Sequence, residues 1–391
     1  MKLYIIKFLA STGIGGAGGT GRMDRVLEKS VAKYTTHAAE KSAAGSDDRL
    51  LVEYILSADR FASLADSGAL RNSRLLFAVE TDISGISLEA CKLLHYLRLK
   101  CLMPENACDQ KASGTAGGVL AGCTGGIIID GQSELFTKDL GRRLAFTANL
   151  AGCNFPGKPL VEATSDLRNF RVLAGLWNMN LYAAYEKACS LLLEKILAFR
   201  FPVQKRPSIL AVHASNRKTS NSLALWDMTA SHLSDRADID VVSIRNGQLW
   251  DCRGCKYEDC LHFGENGDCF YGGVMVDRVY PSIIRSDVLV LICPNYNDSV
   301  SANMMAFINR LTAVFRAHDF SRKRIYAIVV SGYSGGDIVA QQIIGAINMN
   351  KNLILPGNFA LMVTANDPGE ALGLHGIDDQ TSDFARRILV G

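Results

Sequence analysis

The sequence has no hydrophobic run long enough to cross a membrane and almost no net charge. No stretch approaches the ~20 consecutive apolar residues that a membrane-spanning helix needs. The net charge is +3 over 391 residues, and the longest basic run, at 322–324, is typical of a solvated lead-in to a strand. Nucleic-acid binding requires a clustered basic face. We therefore expect no membrane partner and no nucleic-acid partner.

The N-terminal residues favour a β-strand over a secretory signal, and the composition has no strong bias. Lys7 interrupts the apolar residues that follow Lys2, and glycines stand where a signal peptide has its cleavage site, which favours a first β-strand. Hydrophobic residues make up 48% of the chain and charged residues 21%, which excludes a disordered or collagen-like protein. The cysteines number eleven, are mostly dispersed and are typical of a reducing compartment. We expect a soluble, cytoplasmic protein.

The length exceeds what one hydrophobic core usually supports and therefore predicts two domains. Two segments are typical of linkers or insertions, at 35–48 and 201–207, and a continuous helical pattern at 173–199 precedes the second. The predicted division is a first domain, a helical linker and a second domain, at residues 1–165, 166–206 and 207–391.

Short apolar runs alternate with helical patterns in both halves. Nearly continuous Val, Ile and Leu strands separated by helices indicate a parallel sheet covered on both faces. We therefore predict an α/β protein with a doubly wound, flavodoxin-like sheet. In the second half the predicted strands are 209–213, 241–244, 288–293, 325–331 and 359–364. The predicted helices are 222–233, 302–315 and 336–349.

The two halves of the chain resemble each other. Leu75 and Leu289 are 214 positions apart, and so are Ser87 and Ser301. Each half places an apolar strand, a polar turn and a helix between these positions. The spacing predicts two flavodoxin-like doubly wound parallel-sheet domains in tandem, the first of them degenerate. Two unrelated α/β domains are the alternative.

The first half carries a weaker functional signal. Its glycines follow a strand and precede a helix, which matches the dinucleotide fingerprint formally. No second strand ending in an acid follows at the required distance, so a vestigial loop is favoured over nucleotide binding. The glycines are Gly13, Gly15 and Gly18, and a polar site of unknown ligand is predicted at Asp130, Ser133 and Glu134.

The turn after strand 209–213 is rich in hydroxyl and amide side chains. A phosphate at a strand-to-helix junction needs backbone N–H donors, hydroxyls and a guanidinium. The alternative is an N-capped helix with solvated polar neighbours. The candidate phosphate ligands are Ser215, Arg217, Thr219, Ser220, Asn221 and Ser222.

Two further turns follow neighbouring strands and should lie at the same edge of the sheet, where open α/β sheets bind ligands. Tyrosines and glycines on such turns suit a flat aromatic ring, which needs stacking on its face and backbone N–H groups at its polar edge. Taken singly, either turn is also compatible with an ordinary loop. The two turns are Pro294, Asn295, Tyr296 and Asn297, and Gly332, Tyr333, Ser334, Gly335 and Gly336.

Four cysteines fall within eighteen residues, at Cys252, Cys255, Cys260 and Cys269. Four thiolates in one loop can hold a [4Fe–4S] cluster or a tetrahedral zinc ion. Two disulfides are the alternative, which a reducing compartment disfavours. The spacing predicts a metal site and leaves the choice between cluster and zinc open.

These motifs resemble the NADPH-dependent FMN reductases of flavodoxin-like fold, and among them the iron–sulfur flavoproteins, over residues 207 to about 365. The family's phosphate loop, Gly-Ser-x-Arg-x-x-Ser-Asn-Thr, corresponds to 214–222. Its ring-edge motif corresponds to 294–296, followed by Ser301 and by 307–310. The resemblance implies FMN, NAD(P)H as reductant, an iron–sulfur cluster and a homo-oligomer.

We therefore predict an FMN-dependent NAD(P)H oxidoreductase, an enzyme that passes electrons through flavin and an iron–sulfur cluster to an unidentified acceptor. Because the cofactor carries the chemistry, no acid–base residue is required. Two alternatives stay open. One is a non-enzymatic flavodoxin-like binding scaffold with a structural zinc site, and the other is a simple electron-carrying flavodoxin, although such carriers usually present an acidic face.

Overall fold

The computed structural model describes residues 1–10, 21–42, 50–102, 118–216, 219–245 and 249–390. The chain divides into two compact units, Met1–Phe199 (unit 1) and Arg200–Gly391 (unit 2). Within the described ranges, no helix is both long and apolar enough to span a bilayer.

Unit 1 contains one parallel sheet. Its strands are β1 (Lys2–Phe8), β2 (Leu51–Ile55), β3 (Arg74–Thr81), β4 (Thr124–Gly131) and β5 (Leu160–Ala163). Its helices are α1 (Arg22–Ser42), α2 (Ala58–Asp66), α3 (Leu88–Leu102), α4 (Thr137–Leu150), α5 (Arg171–Trp177) and α6 (Leu181–Ala198), with a 3₁₀ turn at Arg168–Phe170. The strand order is β2-β1-β3-β4-β5, and all pairs are parallel.

Unit 2 repeats this topology. Its strands are β6 (Ser208–His213), β7 (Asp238–Ser243), β8 (Val288–Pro294), β9 (Arg324–Ser331) and β10 (Ala360–Thr364). Its helices are α7 (Asn221–Ser231), α8 (Tyr257–Glu265), α9 (Tyr280–Arg285), α10 (Ala302–Arg310), α11 (Thr312–Ala317), α12 (Gly336–Ile343) and α13 (Ile377–Val390). Shorter helical turns lie at Met275–Val279, Ile344–Met349 and Glu370–Gly373. The strand order is β7-β6-β8-β9-β10, again all parallel.

The central strands are buried on both faces, which explains their continuous apolar sequences. Every residue of β9 is buried, and β8 is buried except at Pro294. One face of the unit 2 sheet packs on a core that includes Trp226 of α7 and Phe384 of α13. A strand order of 2-1-3-4-5 is that of a flavodoxin-like sheet. The prediction of two such α/β domains in tandem is confirmed.

Two predictions about helices are corrected. The single helix expected at 173–199 is two helices, because Asn178 ends α5 with a left-handed φ of 51°. Asn180 then caps α6, its side chain accepting a hydrogen bond from the Ala183 N–H at 2.8 Å. The linker expected at 35–48 is helical through Ser42, since α1 continues into it.

Helix α6 belongs to the core of unit 1. Its Tyr185, Leu192 and Ile196 are buried with residues of β1, β3 and β4. Gly126 of β4 permits this close approach, because a Cβ there would lie 2.2 Å from Cδ1 of Ile196. The predicted boundaries at 1–165, 166–206 and 207–391 stay a prediction, but α6 covers the first sheet.

Candidate functional site

A cleft of about 260 Å³ lies at the carboxyl edge of the unit 2 sheet. Four connections that follow β6, β8, β9 and β10 line it, which is where ligands bind in open parallel sheets. Among the described residues, no charged side chain lines the cleft. The lining residues are Asn216, Thr219, Ser220, Asn221, Ser222, Pro294, Asn295, Tyr296, Val330, Gly332, Ala365 and Asn366.

The β6–α7 turn brings three serine hydroxyls together at the start of α7. Ser220 caps the helix, because its Oγ accepts from the Leu223 N–H at 3.2 Å. Ser222 Oγ lies 3.0 Å from Ser220 Oγ and 3.4 Å from Ser215 Oγ. A helix N-terminus presents unpaired N–H groups and a positive partial charge, so this end of the cleft favours an anionic group.

The side chain of Asn221 is bound to the segment that follows β10. Its Nδ2 donates to the carbonyl of Asp367 at 2.8 Å. Its Oδ1 accepts from the N–H groups of Gly369 at 2.9 Å and Ala371 at 3.4 Å. These residues lie 146 to 150 positions further along the chain. Asn221 therefore joins the first and last walls of the cleft.

Glu370 closes the same segment from its other side. Its carboxylate accepts from the backbone N–H groups of Asn366 at 2.6 Å and Asp367 at 2.9 Å. These two bonds hold the pKa of Glu370 below its ordinary value, the Asp367 bond more strongly. The segment is thus tied down at both ends.

The two turns predicted to frame a ring are joined through Asn295. Its Nδ2 lies 2.9 Å from the carbonyl of Ser334, 3.3 Å from Ser331 Oγ and 3.3 Å from Oδ1 of Asp298. Gly335 has a φ of +83°, and a Cβ there would lie 1.9 Å from Oδ1 of Asp298. Only glycine fits this position, since a side chain would push the two turns apart.

The structure gathers half of the predicted residues into the cleft. Ser215 is 3% exposed and lies behind Ser222, and Ser301 caps α10 by accepting from the Met304 N–H at 3.2 Å. Arg217 lies outside the described residues. The predicted residues that line the cleft are Thr219, Ser220, Asn221, Ser222, Pro294, Asn295, Tyr296 and Gly332. Those described but not lining it are Ser215, Asn297, Ser301, Tyr333, Ser334, Gly335 and Gly336.

Sequence reasoning missed four lining residues, Asn216, Val330, Ala365 and Asn366. Asn216 stands inside the turn that the sequence singled out. Ala365 and Asn366 follow the last strand, so the rule that ligands sit at carboxyl strand ends could have found them. Val330 is a strand residue with no polar signal.

The cleft fits a phosphate-bearing aromatic cofactor. Hydroxyls and a helix N-terminus lie at one end, and no carboxylate among the described lining residues would repel a phosphate. Tyr296 supplies an aromatic surface that is 54% exposed. Gly332 allows close packing of the loops, since a Cβ there would lie 2.9 Å from Oδ1 of Asn366.

A second hollow, of about 230 Å³, lies in the cysteine-bearing connection between β7 and β8. Cys255, Cys260 and Cys269 line it together with Phe263 and the residues that follow Cys269. Burial raises the pKa of Cys260, Arg316 opposes this, and the three other thiols of the group raise it further. All four thiols are therefore electrostatic neighbours.

Helix α10 contacts this connection on both sides of the four cysteines. Asn309 donates to the carboxylate of Asp251 at 2.9 Å, just before Cys252. Arg310 Nη2 donates to the carbonyl of Gly272 at 2.8 Å, just after Cys269. Arg310 is only 2% exposed, and within the described chain its Nε and Nη1 have no hydrogen-bond partner.

The predicted metal site is not formed by the side chains as they are placed. Among the described residues, no group of three or more His, Cys, Asp or Glu side chains is arranged to hold a metal ion. The donor chemistry and the buried, partly unpaired Arg310 are compatible with an anionic centre in this connection, but the geometry does not fit a metal.

The corresponding edge of unit 1 is built differently. Arg22, at the start of α1, donates to both carboxylate oxygens of Asp130, the Nε bond being 3.0 Å, and to the carbonyls of Thr164 and Ser165. Tyr185 donates to Asp130 at 3.2 Å. Asp130 therefore neutralises the Arg22 guanidinium at this edge.

The polar site predicted at Asp130, Ser133 and Glu134 does not form one open cluster. Asp130 is 3% exposed, whereas Glu134 is exposed and Ser133 Oγ accepts from the Leu135 N–H at 3.3 Å. The predicted glycine fingerprint at Gly13, Gly15 and Gly18 lies outside the described residues.

A flavodoxin-like sheet with a hydroxyl-lined cleft at its carboxyl edge defines unit 2 as an open α/β domain of the doubly wound class. Residues 207–367 match the family model of NADPH-dependent FMN reductase, which confirms the resemblance. The description of the matched model is that of an oxidoreductase, which agrees with the predicted class of enzyme. The match covers less than half of the chain. No protein of curated function matches it.

Several solved structures are similar to about half of the chain. RosB with a bound intermediate is 14% identical over 48% of this chain and 79% of its own, with a TM-score of 0.36. An NAD(P)H:quinone oxidoreductase from Methanothermobacter marburgensis is 15% identical over 46% and 92%, with a TM-score of 0.33. An FMN-dependent NADH-azoreductase from Bacillus anthracis, in complex with FMN, is 10% identical over 46% and 99%, with a TM-score of 0.34.

Proposed function

We propose that unit 2 binds FMN in the cleft at its carboxyl sheet edge and uses NAD(P)H to reduce it. The observation that carries the proposal is the convergence on one cleft of the turn and loop residues that the family resemblance singled out. FMN, when bound, supplies the hydride and electron transfer. The residues of this chain bind it, orient it and limit its access to water.

The phosphate is proposed to bind at the start of α7. Thr219, Ser220 and Ser222 line the cleft there, and Ser215 lies behind Ser222. Arg217 is proposed from the sequence to supply the guanidinium. The helix N-terminus adds N–H donors and a favourable dipole.

The ring is proposed to lie between the turns that follow β8 and β9. Pro294, Asn295, Tyr296 and Gly332 line this part of the cleft. The remaining predicted residues, Asn297, Ser301, Tyr333, Ser334, Gly335 and Gly336, are proposed to shape these turns without lining the cleft.

The test is a titration of flavin-free protein with FMN, followed by stopped-flow reduction with NADH and with NADPH. We expect saturable binding and flavin bleaching by at least one nicotinamide nucleotide. Thr219→Ala should lower the affinity for FMN, because it removes a phosphate donor. Ser234→Ala is the matched control, since Ser234 is an exposed hydroxyl on the same unit away from the cleft. Absence of flavin binding by the wild type would overturn the proposal.

We also propose that Cys252, Cys255, Cys260 and Cys269 take up a metal, as a [4Fe–4S] cluster or zinc, after rearrangement of their connection. The shared hollow and the buried charge of Arg310 support this. Anaerobic purification with iron, sulfide and zinc analysis tests it. Cys260→Ser should abolish the metal, while Cys91→Ser, at an exposed cysteine of unit 1, should not. A metal-free wild type would contradict it, and a colourless zinc protein without flavin would favour the scaffold alternative.

The remaining predictions are proposals of the same kind. We propose that the chain acts in the cytoplasm, assembles as a homo-oligomer and passes its electrons to an acceptor other than the nicotinamide nucleotide. Sedimentation velocity of the purified protein measures the assembly state. Turnover of NAD(P)H with quinone and azo compounds as trial acceptors tests the electron transfer.

A further inference from the structure

Both polar atoms of the Asn221 side chain are bound to the segment that follows β10. The Nδ2 atom donates to the Asp367 carbonyl at 2.8 Å, and Oδ1 accepts from Gly369 and Ala371 at 2.9 and 3.4 Å. The side chain is 8% exposed, so these bonds are shielded from water. Only the second N–H of Nδ2 is left for a ligand, and the bond to the Asp367 carbonyl restricts the direction in which it can point.

Apart from Asn221, the segment is anchored mainly through its two ends, where Ala365 N–H donates to the Ser331 carbonyl at 2.9 Å and Ala371 is buried in the core. Residues 366–370 are exposed, and only Ala365 and Ala371 at its two ends are buried. The carboxylate of Glu370, which accepts from two backbone N–H groups of the turn, stabilises the turn internally, whereas Asn221 ties the turn to the start of α7. Ala365 and Asn366 line the cleft.

We infer that Asn221 is a positioning residue that holds 366–371 as a wall of the cleft, and is not a phosphate ligand. The inference rests on the proposed function, since it assigns a role within that flavin site. Loss of the clamp should free the wall and weaken binding of the whole cofactor. Loss of a phosphate ligand should weaken only ligands that carry a phosphate.

FMN and riboflavin differ by the phosphate alone and separate these two roles. We expect Asn221→Ala to lower the affinities for FMN and riboflavin by the same factor, about tenfold, which corresponds to roughly 1.4 kcal/mol and to one or two hydrogen bonds. Thr219→Ala should lower the affinity for FMN and leave that for riboflavin unchanged. An Asn221→Ala variant that loses FMN affinity and keeps riboflavin affinity would overturn the inference.

Hydrogen exchange of the flavin-free protein tests the clamp without the cofactor. The amides of Gly369 and Ala371 should lose protection in Asn221→Ala and keep most of it in Asn221→Asp, which retains an acceptor oxygen. Glu370→Gln is the comparison variant, with its effect confined to the amides of Asn366 and Asp367. Unchanged protection at Gly369 and Ala371 in Asn221→Ala would overturn the clamp. If the wild type binds no flavin, the proposed function fails. The exchange experiment would still show whether Asn221 holds residues 366–371 in place.

Discussion

Arg22 and Asp130 form a buried ion pair at the carboxyl edge of the unit 1 sheet, the edge at which unit 2 has its polar cleft. Arg22 is 8% exposed and Asp130 is 3% exposed. Tyr185 of α6 also donates to Asp130, so the pair joins α1, β4 and α6. The guanidinium of Arg22 therefore stabilises the fold of unit 1.

The first prediction separates the two arginines that the sequence places near a carboxyl sheet edge. Arg22→Ala should destabilise unit 1 by about 3–5 kcal/mol, because it leaves the Asp130 carboxylate buried without its partner. The affinity for FMN should stay near that of the wild type. Arg217→Ala should lower the affinity for FMN and leave the stability of unit 1 unchanged. Urea unfolding measures the stability and FMN titration measures the affinity. Equal losses of FMN affinity in Arg22→Ala and Arg217→Ala would show that the cofactor has been assigned to the wrong unit.

The second prediction concerns the pH dependence that Glu80 gives to unit 1. Glu80 is 3% exposed, and among the described residues its Oε1 has no hydrogen-bond partner. Burial raises its pKa above the ordinary 4.5, and Asp130 and Asp24 add to this. An acid with a raised folded-state pKa destabilises the fold as pH rises above 4.5 and it ionises. Glu80→Gln should therefore increase the free energy of unfolding at neutral pH and lose this effect in acid.

Glu89 provides the control of opposite sign. Its pKa is lowered, first by the hydrogen bond from Lys92 and then by that from the Ala58 N–H. Glu89→Gln should decrease the free energy of unfolding at neutral pH, and the loss should fade as pH falls through the pKa of the native carboxylate. Unfolding curves between pH 4 and pH 8 compare the two variants. A stability gain for Glu80→Gln that does not vary with pH would contradict the assignment.

The third prediction tests the junction between the β8 and β9 turns. Gly335→Ala places a Cβ 1.9 Å from Oδ1 of Asp298 and 2.8 Å from Nδ2 of Asn295, at a φ of +83°. The two turns must separate to make room, so the affinity for FMN should fall at least tenfold, about 1.4 kcal/mol.

Gly376→Ala is the matched control, because its φ is +72° and no atom lies within 4 Å of the added Cβ. It should cost only the backbone strain, about 1 kcal/mol of stability, and leave FMN binding unchanged. Fluorescence titration with FMN distinguishes the two variants. Equal affinities in Gly335→Ala and the wild type would show that the turns are not part of the flavin site.

The fourth prediction tests the packing of α6 on the unit 1 sheet. Gly126→Ala places a Cβ 2.2 Å from Cδ1 of Ile196 and should destabilise unit 1 by about 1–3 kcal/mol through overpacking. Ile196→Val removes that methyl group. The double variant should therefore be more stable than the sum of the two single effects, as a double-mutant cycle by urea unfolding measures. Strict additivity would mean that the two side chains are not in contact.

The sequence was sufficient for the fold because the fold follows from local patterns. Continuous apolar runs such as 288–293 and 325–331 can be buried on both faces only in a parallel sheet covered by helices. The long helix at 173–199 could not be divided from its periodicity, because Asn178 and Asn180 act through a left-handed turn and a cap that the apolar pattern does not record.

The candidate site was predicted in part for the same reason. Turn residues next to strand ends, such as Ser220 and Tyr296, could be placed at the sheet edge from the strand pattern alone. The four cysteines predicted a shared location, and three of them line one hollow, but their spacing did not determine whether their sulfur atoms converge in a coordinating arrangement.

By itself the sequence determined the α/β class, the tandem repeat and the sheet edge at which polar residues gather. Only the tertiary structure decided what each of those residues does there. Asn221 holds residues about 150 positions away, Asn295 joins two turns, and Arg22 is neutralised by Asp130. The physical reason is that periodicity and turn propensity are local properties of the chain. The partner of a hydrogen bond or a buried charge depends on which distant segments the fold brings together.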